Sequence, residues 1–138
     1  MLKRVVALVL AVGLFVVGSP AAVFASQMTE REAAQVAKIM KKYAKSKWQD
    51  ERLCIMHRES RGDFTADGRT GSGAYQFIGS TWNHYAALAG FDRWVGKRPA
   101  KAPPAVQTAV FWRTWNKKKG AFHWGTHWAN VPIKDCLG

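Results

Sequence analysis

The chain has 138 residues, 48% of them hydrophobic, with 21 Lys and Arg against nine Asp and Glu, a formal net charge of +12. That apolar share excludes a polar disordered tail, and the length suits one hydrophobic core rather than several domains. The positive balance points to polyanionic surroundings: nucleic acid, an anionic membrane or an acidic cell wall.

The first 25 residues read as a secretory signal. Lys3 and Arg4 begin it, Val5 to Gly18 is an uncharged run of 14 residues, and Val23-Phe24-Ala25 places small residues at a cleavage site. The run is short for a membrane span, which takes about 20 apolar residues. Cleavage after Ala25 leaves residues 26–138 as one exported domain and lowers the charge from +12 to +10. An uncleaved anchor is the alternative. Export favours the cell wall, or a membrane surface, over chromosomal DNA as the partner, although lysines also simply keep secreted proteins soluble. Cys54 and Cys136 are the two cysteines, and export predicts a disulfide between them rather than two free thiols.

Along the chain, Thr29-Glu30-Arg31-Glu32 is a capping box. Val36, Met40 and Tyr43 follow at helical spacing with lysines between them, predicting an amphipathic helix of about 17 residues. A second helix is predicted from about Trp48 to Glu59, burying some of Leu53, Ile55 and Met56, and stopped by Gly62. Residues 61 to 79 hold five glycines and read as a loop with a short strand pair around Ala74 to Ile78. Ser80 is the expected cap of a third helix running through Trp82, Tyr85 and Leu88 to Gly90. Arg93 to Ala102 reads as basic surface loop. Pro103-Pro104 opens a fourth helix, where a missing amide does no harm, and Gly120 is its expected stop. The tail is aromatic and aperiodic. The fold class is mainly α, with a short glycine-rich β/loop segment beside the second helix.

The segment Cys54-Ile55-Met56-His57-Arg58-Glu59-Ser60 ends an apolar helix on a glutamate, just before that glycine-rich stretch. A carboxyl in the last helical turn faces the negative end of the macrodipole, and an apolar helix face adds desolvation; both favour its protonated form. A protonated carboxyl is what a general acid requires. Many helices end in glutamate, so position alone does not assign a role.

The surrounding motifs add to this. Glu59-Ser60, then Ser72 to Phe77 ("SGAYQF"), then Ser80 to Trp82 ("STW") resemble the lysozyme-like fold of lytic transglycosylases and goose-type lysozymes. The match is closest to the small secreted actinobacterial branch that is similar to the resuscitation-promoting factors. It continues through Gln107, Gly120 and Trp124 to Cys136. The resemblance implies a peptidoglycan-cleaving domain acting on the MurNAc-GlcNAc β-1,4 bond without a cofactor, with Glu59 as the catalytic acid and base. It further implies Gln76 lining the sugar groove, Tyr75, Phe77 and Trp82 as groove or core aromatics (Trp82 the best groove candidate), and Ser60 as a hydrogen-bond partner fixing the acid's geometry. Many relatives carry a Gly-Leu pair between the alanine and the glutamine; Ala74-Tyr75-Gln76 is shorter, which leaves the facing of Gln76 open.

Glycosidases usually use two carboxylates. Asp63 could cap the loop, and Asp67, before Gly68, reads as an Asx turn. Lytic transglycosylases as a family manage with one glutamate, and the absence of a clear second carboxylate favours that chemistry over a hydrolytic lysozyme. His123 and His127 lack the glutamate of a HExxH site and a third ligand at recognisable spacing, so no metal is expected. His57 either points away from Glu59 or relays a proton to it. Trp48, Trp112 and Trp115 are expected in the core; Trp94, Trp124 and Trp128 stay unassigned. The rival class is a non-catalytic, basic, tryptophan-rich wall-binding or antimicrobial protein, which leaves "HRES" followed by "SGAYQF" unexplained. The expected partners are peptidoglycan strands and, through charge, anionic wall polymers. A monomer in the wall is expected, with no nucleic acid bound and no membrane attachment after processing.

Overall fold

Thr29 begins the first helix as the capping box requires. Its Oγ1 accepts from the Glu32 amide at 3.2 Å, while Glu32 Oε2 accepts from the Thr29 amide at 2.8 Å. The computed structural model describes residues 28–125 and Cys136; the segment read as a signal, His127 and Trp128 lie outside them. The described residues form four α-helices and one two-stranded sheet. Helix α1 spans Glu30–Tyr43, α2 Gln49–Ser60, α3 Gly79–Leu88 and α4 Pro104–Trp115. Strand β1, Gly71–Ser72, pairs antiparallel with β2, Phe77–Ile78, with Gly71 opposite Ile78 and Ser72 opposite Phe77. The class is α-dominated, with the small sheet beside the end of α2. None of the described helices is long and apolar enough to cross a membrane.

Helix α4 is the centre. Nine of its 12 residues are buried, including Val106, Phe111, Trp112 and Trp115, and a helix apolar on most faces can only be a core helix. Helices α1 and α3 both pack against it. It stops at Asn116, which takes the left-handed cap conformation, rather than at Gly120. Gly120 is needed for a different reason: a Cβ there would lie 1.8 Å from the Thr114 carbonyl oxygen.

Helix α1 is shorter than its periodicity predicts. Gln49 Nε2 donates to the Tyr43 carbonyl at 2.8 Å, and the Ser46 amide donates to the same oxygen at 2.9 Å, closing a tight corner into α2. Helix α3 begins at Gly79 with Ile78 as its cap residue, so Ser80 lies inside the first turn and does not cap. The basic stretch after Phe91 is more ordered than a loop, with 3-10 turns at Asp92–Trp94 and Pro99–Lys101.

Two long-range ties fix the helices. Arg93 grips Glu32 with Nε at 3.0 Å and Nη2 at 2.6 Å, joining α1 to the turn after α3. Burial raises the Glu32 pKa, but the Arg93 and Thr29 hydrogen bonds and the Arg93 charge outweigh it and hold the carboxyl below its ordinary value of 4.5. Cys54 and Cys136 form the predicted disulfide, with Cα atoms 5.5 Å apart and a sequence separation of 82.

Candidate active site

Glu59 stands in the last turn of α2. Asp50 and Glu51 in its first turn suit the positive end of the helix dipole. The helix is closed by Arg61, left-handed at φ 57°, and Gly62 at φ 86°; the Arg61 amide bonds the His57 carbonyl and the Gly62 amide the Met56 carbonyl. The stop therefore comes at Arg61, one residue before the glycine. This sharp reversal leaves the Glu59 side chain 24% exposed.

The carboxylate is held on one side only. Arg58 donates to Glu59 Oε1 from Nε at 3.1 Å and from Nη2 at 2.5 Å, and the same Nη2 donates to the Trp124 carbonyl at 2.6 Å. Among the described residues, Oε2 accepts no hydrogen bond. Sequence inspection does not find the Arg58 contact. Adjacent residues on a helix point in different directions, and the guanidinium reaches back only because the distant Trp124 carbonyl gives it a second acceptor.

Beside Glu59 lies the turn from Gly73 to Gln76, pinned by side chains from three other elements. Ser60 Oγ donates to the Ala74 carbonyl at 2.8 Å. The Ala74 amide donates to Gln107 Oε1 at 2.9 Å, and Trp124 Nε1 donates to the Tyr75 carbonyl at 2.9 Å. Gln107 is fully buried, and its Nε2 donates to the Phe64 and Ala102 carbonyls at 3.0 and 2.9 Å. Gly73 has a φ of 78°, and a Cβ there would lie 2.3 Å from Gln107 Oε1, so glycine is required. Backbone groups turned away from water need partners, and these side chains supply them. Trp124 thus connects the turn, through its indole, to the guanidinium that holds Glu59, through its carbonyl.

The structure places the remaining sequence candidates as follows. Ser60 sits next to Glu59 but bonds the turn and not the carboxylate. Gln76 is left-handed at φ 48° and folds its amide back, Nε2 donating to the Gly73 carbonyl at 3.0 Å. Tyr75, Phe77 and Trp82 are 0%, 3% and 0% exposed. Trp82 is therefore not a groove ring: its Nε1 donates to the Trp94 carbonyl at 2.8 Å, and its ring packs 5.6 Å from Phe77. Tyr75 stacks on Phe111 at 4.6 Å, with its hydroxyl between Arg52 at 2.9 Å and Thr108 at 3.2 Å. These aromatics form the wall behind the site. Trp94, Trp112, Trp115 and Trp124 are buried too, while Trp48 is only partly so.

Both aspartates are engaged locally. Asp63, rather than Asp67, makes the Asx turn, accepting from the Thr65 amide at 2.8 Å and hydroxyl at 2.7 Å; those bonds lower its pKa. Asp67 accepts from both Nε and Nη2 of Arg98, and that bond first, then one from Ser72, lowers its pKa. His57 is exposed. His123 bonds the Tyr85 hydroxyl at 3.2 Å, and burial, with the neighbouring His84 charge, lowers its pKa. Among the described residues, no three His, Cys, Asp or Glu side chains gather as a metal site.

Over 74 residues the chain is 40% identical to a protein named "Probable transglycosylase SceD" from Staphylococcus haemolyticus (strain JCSC1435), a stretch covering 52% of this chain and 29% of that relative. The protein of the same name from Staphylococcus aureus (strain Newman) is 39% identical over 74 residues, 52% of this chain and 30% of the relative. The chain thus spans less than a third of the length of these curated relatives. No family profile and no solved structure matches it.

Proposed function

We propose that the protein is a transglycosylase that cleaves peptidoglycan strands, with Glu59 as the single general acid and base. The observation that carries this reading is the carboxyl of Glu59, partly exposed, fixed through Oε1 by Arg58 and with Oε2 unengaged among the described residues. The similarity to proteins named transglycosylase supports it. In this mechanism Oε2 protonates the oxygen between the muramyl C1 and the next sugar, and the C1–O bond breaks. The carboxylate then removes the proton of the muramyl C6 hydroxyl, whose oxygen bonds to C1 and closes the anhydro ring. The acid is regenerated and no water is consumed.

A proton-transferring group must be held in place and yet have a lone pair open to the reacting atom. Arg58 does the first by occupying only one oxygen, and the rigid Gly73–Gln76 turn supplies the adjoining wall. Asp63 and Asp67 are both exposed, outside the partly buried position that Glu59 holds at the end of α2, which supports the one-carboxylate scheme over a hydrolytic pair. The Cys54–Cys136 disulfide agrees with action outside the cytoplasm, in the wall, after removal of residues 1–25. Mass spectrometry of peptidoglycan digested with the protein tests the chemistry. Anhydro-muramyl ends are expected; reducing muramyl ends would replace this scheme with hydrolysis.

A further inference from the structure

A second feature lies at the other end of α2. The corner between α1 and α2 is an open cleft of about 780 Å³, lined by Lys41, Lys42, Lys45 and Lys47, by Trp48, and by Lys117 from beyond α4. Among the described residues, no acidic side chain lines it. Between Glu32 and Asp50 the sequence holds no acid at all, and Glu32 is taken up by Arg93. Two of these lysines, Lys41 and Lys42, complement the C-terminal end of α1; Lys45, Lys47 and Lys117 lie beyond it. Lys117 enters the cleft from a backbone in which Asn116, Lys117 and Lys118 all have positive φ, 40°, 56° and 73°. Such conformations are unfavourable for residues other than glycine.

We propose that this cleft is a binding site for a phosphodiester polyanion without bases, separate from the Glu59 site. Trp48, the residue before α2, and Glu59 are 11 residues apart, which puts the sites roughly 16 Å apart along the helix axis at about 1.5 Å per residue. Lysine ammonium groups are point charges suited to successive phosphates. The cleft's rings already have cation or ring partners. Tyr43 stacks on Trp112 at 4.8 Å and 3°, Lys42 lies 5.4 Å over Tyr43, and Lys47 lies 5.2 Å over Trp48. Bases would have to compete with these lysines for the rings on which single-stranded nucleic acid sites stack them. The large exposed apolar residues, Leu53, Ile78, Leu88, Val95 and Phe122, do not line the cleft, whose own apolar surface comes from Tyr43, Ala44, Trp48 and the lysine stems. It thus offers no large exposed aliphatic side chain to insert into a membrane surface.

The test is equilibrium binding of the full chain to synthetic poly(glycerol phosphate). With about 0.7 of a counterion released per phosphate contact and five lysines engaged, affinity falls about a hundredfold between 50 and 200 mM salt. Replacing Lys41, Lys45 and Lys47 together by Ala weakens binding at least roughly tenfold. The charge-matched control, Arg69, Lys97 and Arg113 to Ala, changes it less than about threefold. Glu59→Gln binds as wild type, which separates this site from the proposed catalytic one. Equal losses in the two triple variants would show diffuse attraction and overturn the site. Tighter binding to oligodeoxythymidylate, or to vesicles of phosphatidylcholine and phosphatidylglycerol in equal parts, would overturn the ligand class.

Discussion

Two glutamates of this protein pair with arginine, and the pairs are built differently. Glu32 is 5% exposed and uses both oxygens: Oε1 takes Arg93 Nε, and Oε2 takes Arg93 Nη2 and the Thr29 amide. Glu59 is more open, uses Oε1 alone, and its arginine is shared with a backbone carbonyl. A carboxylate saturated by donors is a structural clamp that holds two segments together. One engaged on a single oxygen keeps its orientation and retains a lone pair for chemistry. Asp67 is also held through one oxygen, by Arg98 on Oδ1, but its side chain is 42% exposed against 24% for Glu59. Partial burial at the end of α2, beside the rigid turn, is what separates Glu59 from it.

The largest expected stability effect sharpens the structural side. Replacing Cys54 and Cys136 by Ser removes a tie across 82 residues, and the chain-entropy relation gives a loss of about 4.5 kcal/mol. Urea unfolding measures it; a loss below about 1 kcal/mol would show that packing around α4 holds the fold unaided. Glu32→Ala removes half the capping box and the Arg93 clamp. It should lower stability by about 2–3 kcal/mol while activity per folded molecule is retained. The pH dependence carries the same information. Because the folded carboxyl titrates below 4.5, the wild-type contribution is full above the unfolded pKa and lost as pH falls through the folded one. Glu32→Gln should flatten that acid limb of the stability curve; an unchanged limb would remove Glu32 from the account.

Arg58→Ala tests the other pair. With Glu59 no longer oriented, kcat should fall about tenfold with KM little changed, roughly 1.4 kcal/mol of transition-state stabilisation. Arg58→Lys should restore part of it; a change confined to KM would make Arg58 a substrate contact instead. The smallest effects belong to Asp63→Asn and Asp67→Asn, each below about threefold in kcat, because Thr65 and Arg98 already hold these carboxylates. A large loss at either would reinstate a two-carboxylate reaction.

Local rules carried much of the fold. The capping box at Thr29 and Glu32 and the proline start of α4 are set by neighbouring residues and are present as read, whereas α2 stops at Arg61, one residue before the expected glycine. The disulfide followed from the cysteine count and the expectation of export. Features set by distant chain segments were not legible. Aromatic residues serve a groove or a core equally well, so nothing local in the sequence could say that α4 would cover Tyr75 and that Trp94 would accept from the Trp82 indole. The Arg58–Glu59 contact depends on Trp124, 66 residues away. The Asx turn fell at Asp63 because Arg98, 31 residues on, claims Asp67.

The central claim is that Glu59 moves the proton in glycan cleavage. The most direct measurement is the rate of soluble muropeptide release by Glu59→Gln beside wild type, with both unfolding midpoints recorded. Gln keeps the shape and removes the transferable proton, so the expected result is an unchanged midpoint and a rate lower by about 10²–10⁴-fold. Release at the wild-type rate by a correctly folded Glu59→Gln protein would contradict the account.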